Sequence, residues 1–448
     1  MKQKQDARGV PLSSGSVEAI SHYETAIVQF HSFVGDPLVT LDRAIVASPD
    51  FVAAHLMKAL VLATLAERQF MPLVADSLAD ARRHGTKANA RERGLMSAAQ
   101  HLSNGAWHDA CAALDAVLVE HPRDALALQV AHLMDFYRGD AVNLRNRVAR
   151  VLPHWGHEVP GYSYVLGMYA FGLEEMNQYG EAEETARAAL AIQRRDGWAV
   201  HAAAHVMEMQ GRVDEGIAWL TSREPDWAPD NGFAFHNFWH LALFHLDRAD
   251  HDRVLALYDG AVHPGPAPML LSLVDASALL WRLRIDGADV GTRFDAVADE
   301  WEAKLDGEGG FYAFNDLHAM LAFAATGREA AVARLTQRMA VATEGRDTNA
   351  AMTRDVGAPL ARAVVAYGRG RYDEAVDLIA PVRDIAHRFG GSHAQRDLIT
   401  LTLIDAARRA GRTSLAKHVL AERLVSKPEA QWGRRILARI EAKAVATQ

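Results

Sequence analysis

A chain of 448 residues is about three times the usual domain of roughly 150 residues, so several globular units or one extended array are expected. Half of the residues are hydrophobic and 23% are charged, which leaves ample core-forming material and excludes wholesale disorder. The net charge of −8 argues against a nucleic-acid footprint, which needs a basic excess. Mean hydropathy is slightly negative, and no uncharged apolar run reaches the roughly 18 residues of a membrane span.

In chain order, the first residues are charged, and Pro11, Ser13, Ser14, Gly15 and Ser16 prolong a polar lead. No apolar stretch of signal-peptide length follows. Residues 1–16 are expected to form a mobile arm, and the protein to be cytoplasmic. The single cysteine, Cys111, lies among Ala110, Ala112 and Ala113; it excludes an intrachain disulfide and reads as a small core residue in a reducing compartment.

From Val17 onward the vocabulary is Ala, Leu, Arg, Glu and Met, with prolines such as Pro37, Pro49, Pro122 and Pro153 set between apolar stretches. Strong helix formers punctuated in this way predict helices throughout. A local grammar recurs: one helix ends in a glycine or polar turn and a second opens with small residues. It stands at Asn104-Gly-Ala-Trp, Gln210-Gly-Arg-Val, Asp247-Arg-Ala-Asp, Thr326-Gly-Arg-Glu, Arg369-Gly-Arg-Tyr and Ala410-Gly-Arg-Thr. The last three turns are roughly 40 residues apart, somewhat longer than the 34 of a tetratricopeptide unit. One helix pair cannot bury its own apolar face, so pairs must stack. The fold expected is all-α: an irregular tetratricopeptide-like (TPR-like) solenoid over 17–448, curled around a concave cavity. Its helix pairs divide into an N-terminal stretch (17–155), a histidine-rich centre (156–325) and C-terminal repeats (326–448).

The centre carries the chemistry. In Trp198-Ala-Val-His-Ala-Ala-Ala-His-Val-Met-Glu, His201, His205 and Glu208 fall within about 60° of one another on a helix. In the next long helix, His236, His240 and Asp247 share a stripe and His245 falls opposite. Sequential first helices of a solenoid lie side by side, which predicts that the two His-x-x-x-His stripes face one cavity. Phe314-Asn-Asp-Leu-His places Asn315 and His318 one turn apart, while Gly161-Tyr-Ser-Tyr mixes aromatics with small residues ahead of a carboxylate pair. Gly390-Gly-Ser-His-Ala-Gln-Arg-Asp reads as a helix start capped by Ser392 with Gln395 as its reciprocal partner, with Arg396 beside N–H groups suited to an anion. Two histidines four residues apart suit zinc only when a third ligand arrives, and the His-Glu-x-x-His form is absent. No cofactor is therefore predicted; a bound divalent metal would take His201, His205, His236 and His240. The basic group Arg82, Arg83, His84, Lys87, Arg91 and Arg93 reads as a solvated turn. Walker, dinucleotide, nucleophile-elbow and EF-hand motifs are absent.

Longer strings resemble the tetratricopeptide repeat protein 38 family from about residue 20 to about residue 425. They are Gly167-Met-Tyr-Ala-Phe-Gly-Leu-Glu-Glu, the segments opening at Trp198, His236 and Phe314, Ala351-Met-Thr-Arg-Asp-Val-Gly-Ala-Pro-Leu and Gly390-Gly-Ser-His-Ala-Gln-Arg-Asp. The resemblance implies an α-solenoid and carries no settled reaction. His393 stands where the family pattern implies Asn.

Two functions follow from the residues. One is an internal pocket for a small polar or carboxylate-bearing molecule, with hydrolase or lyase chemistry. His201, His205, Glu208, His236, His240 and His318 would serve as acid–base groups. Tyr162, Tyr164, Trp198, Asn237, Asn315, Asp316, His393, Gln395, Arg396 and Asp397 would contact substrate. The other is a scaffold that takes a peptide or partner helix in its groove. Neither a nucleic acid nor a membrane is expected as a partner, and homo-oligomerisation is left open.

Overall fold

The computed structural model describes residues 4–267 and 269–446. Helices dominate, and the strands among the described residues are a two-residue pair, Lys4–Gln5 against Pro11–Leu12, with an isolated bridge between Val34 and Asn231. The chain is all-α, built from successive helix pairs as in a helical solenoid. It divides into two compact units: Met1–Ala203 with Pro225–Phe233, and Ala204–Glu224 with Ala234–Gln448. The boundary falls inside the Gly197–Gln210 helix.

In the first unit the pairs run Val17–Ser32 with Pro37–Ala47, Val52–Ala63 with Met71–Arg83, and Ala90–Ser103 with Trp107–Glu120. Ala125–Tyr137 with Ala141–Val151 and Tyr162–Glu175 with Tyr179–Ile192 complete the series. The two members of a pair differ in how they must be covered. Val52–Ala63 and Ala125–Tyr137 are mostly apolar and buried almost throughout, so each has to be packed on nearly all sides. Their partners Met71–Arg83 and Ala141–Val151 bury one stripe and leave the rest to water. The turn grammar has a backbone cause. Gly105, Gly211, Gly327, Gly370 and Gly411 all take positive φ, the left-handed geometry that ends a helix. Ala249 and Asn177 take the same conformation without glycine, at φ 61 in each case, which is why the Asn177 turn escapes a search for glycine.

Residues 4–16 do not form a loose arm. Asp6 accepts hydrogen bonds from the Val10 and Arg8 amides at 2.8 and 2.9 Å, and the Arg8 guanidinium reaches both Asp6 (2.9 Å) and Glu24 (2.8 Å). The Ser13 amide donates to Glu92 at 3.0 Å, while Val10 and Leu12 are buried. Much of the polarity that reads as solvation is matched here to partners within the arm and on Glu24 and Glu92. Arg91 is likewise not on the surface: it is buried in an ion pair with Asp124 at 2.6 Å.

The second unit returns on itself. Its last helix, Gln431–Ala446, packs against Ala234–Asp247, where Asp247 accepts from the Gln431 and Trp432 amides at 2.8 and 3.0 Å. Leu270–Asp286 meets His393–Arg409, with the Trp281 indole donating to the Thr402 hydroxyl at 3.0 Å. Trp239 and Trp281 are fully buried in the core of this unit. Among the described residues no helix is long and apolar enough to cross a membrane.

Asp196 precedes the Gly197–Gln210 helix and accepts from the Ala199 amide at 3.0 Å. Burial raises its carboxyl from 3.8 to about 7, against the opposing pull of the Ala199 and Trp198 amides. The folded state therefore keeps a proton that the unfolded chain has released, and stability declines as pH rises from about 4 to about 7. Asp196→Asn retains the acceptor and removes the titration. Its stability relative to the parent is expected to grow across that window in urea melts, and a constant difference would refute the assignment.

Candidate functional site

Three imidazoles converge in the second unit. His205 lies on the Gly197–Gln210 helix, and His236 and His240 on Ala234–Asp247. Helical periodicity aims each set from one face, and the rings meet: His205 and His240 have centroids 4.4 Å apart, His236 and His240 4.9 Å. One ring nitrogen from each of His205, His236 and His240 lies within 4.8 Å of the others. All three side chains are buried.

Carboxylates fix two of these rings. Nδ1 of His236 donates to Asp275 Oδ2 at 2.7 Å, and Nδ1 of His240 donates to Glu208 Oε2 at 2.9 Å. A proton held on Nδ1 leaves the lone pair of a neutral imidazole on Nε2. His240 is held well below its ordinary pKa, first by burial and then by the neighbouring His205, His236, Lys427 and Arg282. The His236 ring also stacks on Trp239, whose other neighbours include the Arg282 guanidinium at 5.3 Å.

The chain of polar groups continues outward. Lys427 donates to Glu208 at 3.2 Å and to Asp397 at 3.4 Å, and Arg423 holds both oxygens of Asp397 at 2.9 and 2.8 Å. Burial pushes the Asp397 carboxyl up, but Arg423 and Lys427 outweigh it and hold the group below the usual carboxylate range. Glu208, Asp247 and Asp397 face Arg282, Arg423 and Lys427 around a cleft of about 60 Å³. That volume has room for a few water molecules.

The remaining sequence-predicted residues make the following contacts within their own units. In the first unit, Trp198 and His201 pack with Phe171 and Phe233 at ring separations of 4.9 to 5.3 Å, an aromatic core. Tyr162 rests edge-on against His157, and Tyr164 against His31. In the second unit Asn237 is fully buried, and Asn315 is half-buried. Asp316 accepts from the Gly310 amide at 3.0 Å. His318 donates from Nδ1 to the Phe314 carbonyl at 2.7 Å, and burial lowers its pKa to about 4; those bonds describe a helix-internal brace. The capping box of Ser392 and Gln395 is formed. Because that box occupies the Ser392 and Gln395 amides, and Arg396 donates to the Gly391 carbonyl, the anion seat expected there is already filled by the chain itself. His393 is half-buried. Sequence reasoning missed Asp275, Lys427, Arg282 and Arg423. Asp275 had a signal: it is a lone carboxylate inside the apolar run Leu270-Leu-Ser-Leu-Val-Asp-Ala-Ser-Ala-Leu-Leu-Trp.

No family model matches the sequence. Among solved structures the chain is similar to the human IFIT1 dimer with m7Gppp-AAAA, at 13% identity and a TM-score of 0.44 over 96% of each chain. It is also similar to yeast Tom70, at 10% identity and a TM-score of 0.33 over 96% of this chain and 88% of that one.

Lys427 is the buried cation shared by two carboxylates. Lys427→Met is expected to cost about 3 kcal/mol in urea unfolding, the range for stranding a partner in a buried pair. The loss should persist in high salt, because buried pairs are poorly screened. A cost below about 0.5 kcal/mol would show that the network is solvated.

Proposed function

We propose that this protein is an interaction scaffold whose first unit takes an extended peptide segment of a protein partner, anchored by one bulky apolar side chain. One contrast carries the reading. The cleft that Glu208 lines beside the histidine site measures about 60 Å³, whereas a cleft of about 300 Å³ opens in the first unit. The larger volume is at the lower end of the range for ligand sites and accommodates a large side chain with its flanking backbone.

The lining suits such an anchor. Ile27, Val28, Pro160 and Tyr164 supply apolar wall, and Arg8 and Glu24 pair with one another at 2.8 Å. His31 adds no charge near neutrality: burial lowers its pKa to about 4, and Nε2 lies 3.1 Å from the Ala125 carbonyl. Val28 is half exposed, an apolar contact available to an incoming chain. The resemblance to the tetratricopeptide repeat protein 38 family is compatible with this reading and adds no reaction to it. The competing reading, acid–base chemistry on a small carboxylate-bearing molecule, has the histidine–carboxylate pairs in its favour. The cleft that Glu208 lines next to them has room for a few water molecules.

Selection of short random peptides displayed on phage against the full chain tests the proposal. Recovered peptides should share one bulky apolar position. Their affinity should fall roughly tenfold or more, about 1.4 kcal/mol, on Val28→Asp, with the melting temperature unchanged. Recovery of no peptides, or of peptides indifferent to Val28→Asp, would defeat it.

A further inference from the structure

The three convergent imidazoles raise a question of charge. Asp275 is fully buried, and one of its oxygens, Oδ1, has no hydrogen-bond donor among the described residues. A carboxylate in that position needs a compensating positive charge nearby. Its direct partner is His236 Nδ1 at 2.7 Å. The buried Arg282 guanidinium supplies part of that charge, and a cation on the far nitrogen of His236 would add to it.

We infer that His205, His236 and His240 hold a divalent transition metal ion, zinc being the best match, through one ring nitrogen each. The warrant is the pattern of outer hydrogen bonds. Ligating histidines characteristically donate their other ring N–H to a carboxylate, which fixes the tautomer and raises the basicity of the ligating nitrogen. Asp275 does this for His236 and Glu208 does it for His240, at 2.7 and 2.9 Å. Both bonds use Nδ1, so both rings offer Nε2.

Geometry and chemistry agree on the class of ion. Zn–N bonds of about 2.0–2.1 Å in a tetrahedron put ligand nitrogens about 3.3 Å apart. The three nitrogens already lie within 4.8 Å of one another, so closure requires side-chain shifts of about an ångström. An all-imidazole donor set suits zinc, copper, nickel or cobalt and is a poor match for magnesium or calcium, which prefer oxygen. Three protein ligands leave a fourth position for water, and Glu208 lines the water-sized cleft beside the site. The site does not depend on the peptide cleft of the first unit, so either assignment can fail alone.

The test uses the full-length protein, stripped with a chelator and reloaded with cobalt(II) or zinc(II). One equivalent of cobalt should bind and give the intense visible d–d bands of a four-coordinate ion. X-ray absorption of the zinc form should show imidazole scattering from three rings. Asp275→Asn keeps all three ligands and loses the carboxylate behind His236, so zinc affinity should fall 10–100-fold. His236→Gln and His240→Gln should each abolish stoichiometric binding. Uptake that these variants leave untouched would overturn the inference, as would failure of the unmodified protein to bind one equivalent. Should the variants not fold, the unmodified protein still decides: absorption lacking imidazole shells overturns the site. So does a doubly protonated His236 in nitrogen NMR that zinc leaves unchanged.

Discussion

The second unit is organised around carboxylates withdrawn from bulk water, Asp275 completely and Glu208 and Asp397 at the edge of a small cleft. Glu208, Asp275 and Asp397 come from three different helices, and each would be expensive to bury alone. Their partners come from others: His240 and His236 from Ala234–Asp247, Arg423 from Thr413–Ser426, and Lys427 just beyond it. Lys427 and Glu208 are 219 residues apart in the chain. Satisfying these groups therefore requires the last helices of the unit to sit against the first. Apolar packing would favour many registers of helix on helix; a buried ion pair tolerates few.

The first unit follows the same rule with different groups. Arg91 and Asp124 form a buried pair beside the Tyr23 hydroxyl, and Arg147 binds Asp135. The Phe33 ring joins Trp198 and Phe233, while the Phe33 carbonyl accepts from the Gly232 amide at 2.8 Å. Pro225–Phe233 thereby belongs with helices that precede it by almost two hundred residues. Helix pairs supply the bulk of the buried surface, and a small number of polar contacts set which pair meets which.

This division of labour bears on function. Histidines that serve as hydrogen-bonded braces, as His318 does, differ from His236 and His240 in their acceptor. A backbone carbonyl positions the His318 ring; a carboxylate both positions a ring and polarises it. Polarised imidazoles that converge are suited to a cation, while the apolar cleft near Val28 is suited to a side chain. The two proposals therefore rest on unlike groups of residues, each drawn from one unit.

The all-α class and the helix pairs were legible in the sequence, because periodicity, glycine turns and scarce prolines act locally. The same local geometry put His205, Glu208, His236 and His240 on the faces where they are found, and it gave the capping box at Ser392. Other features were not legible. That the arm is packed depends on Glu24 and Glu92, and that Arg91 is buried depends on Asp124. The last helix of the second unit returns to Ala234–Asp247, which no local pattern encodes. Trp198 and His201 read as site residues by spacing, yet the rings around them come from Phe171 and Phe233. Sequence determines what each helix face offers, since that is set by neighbours three and four residues away. Tertiary structure alone decides what each face meets, because the partner of a buried charge can lie anywhere in the chain.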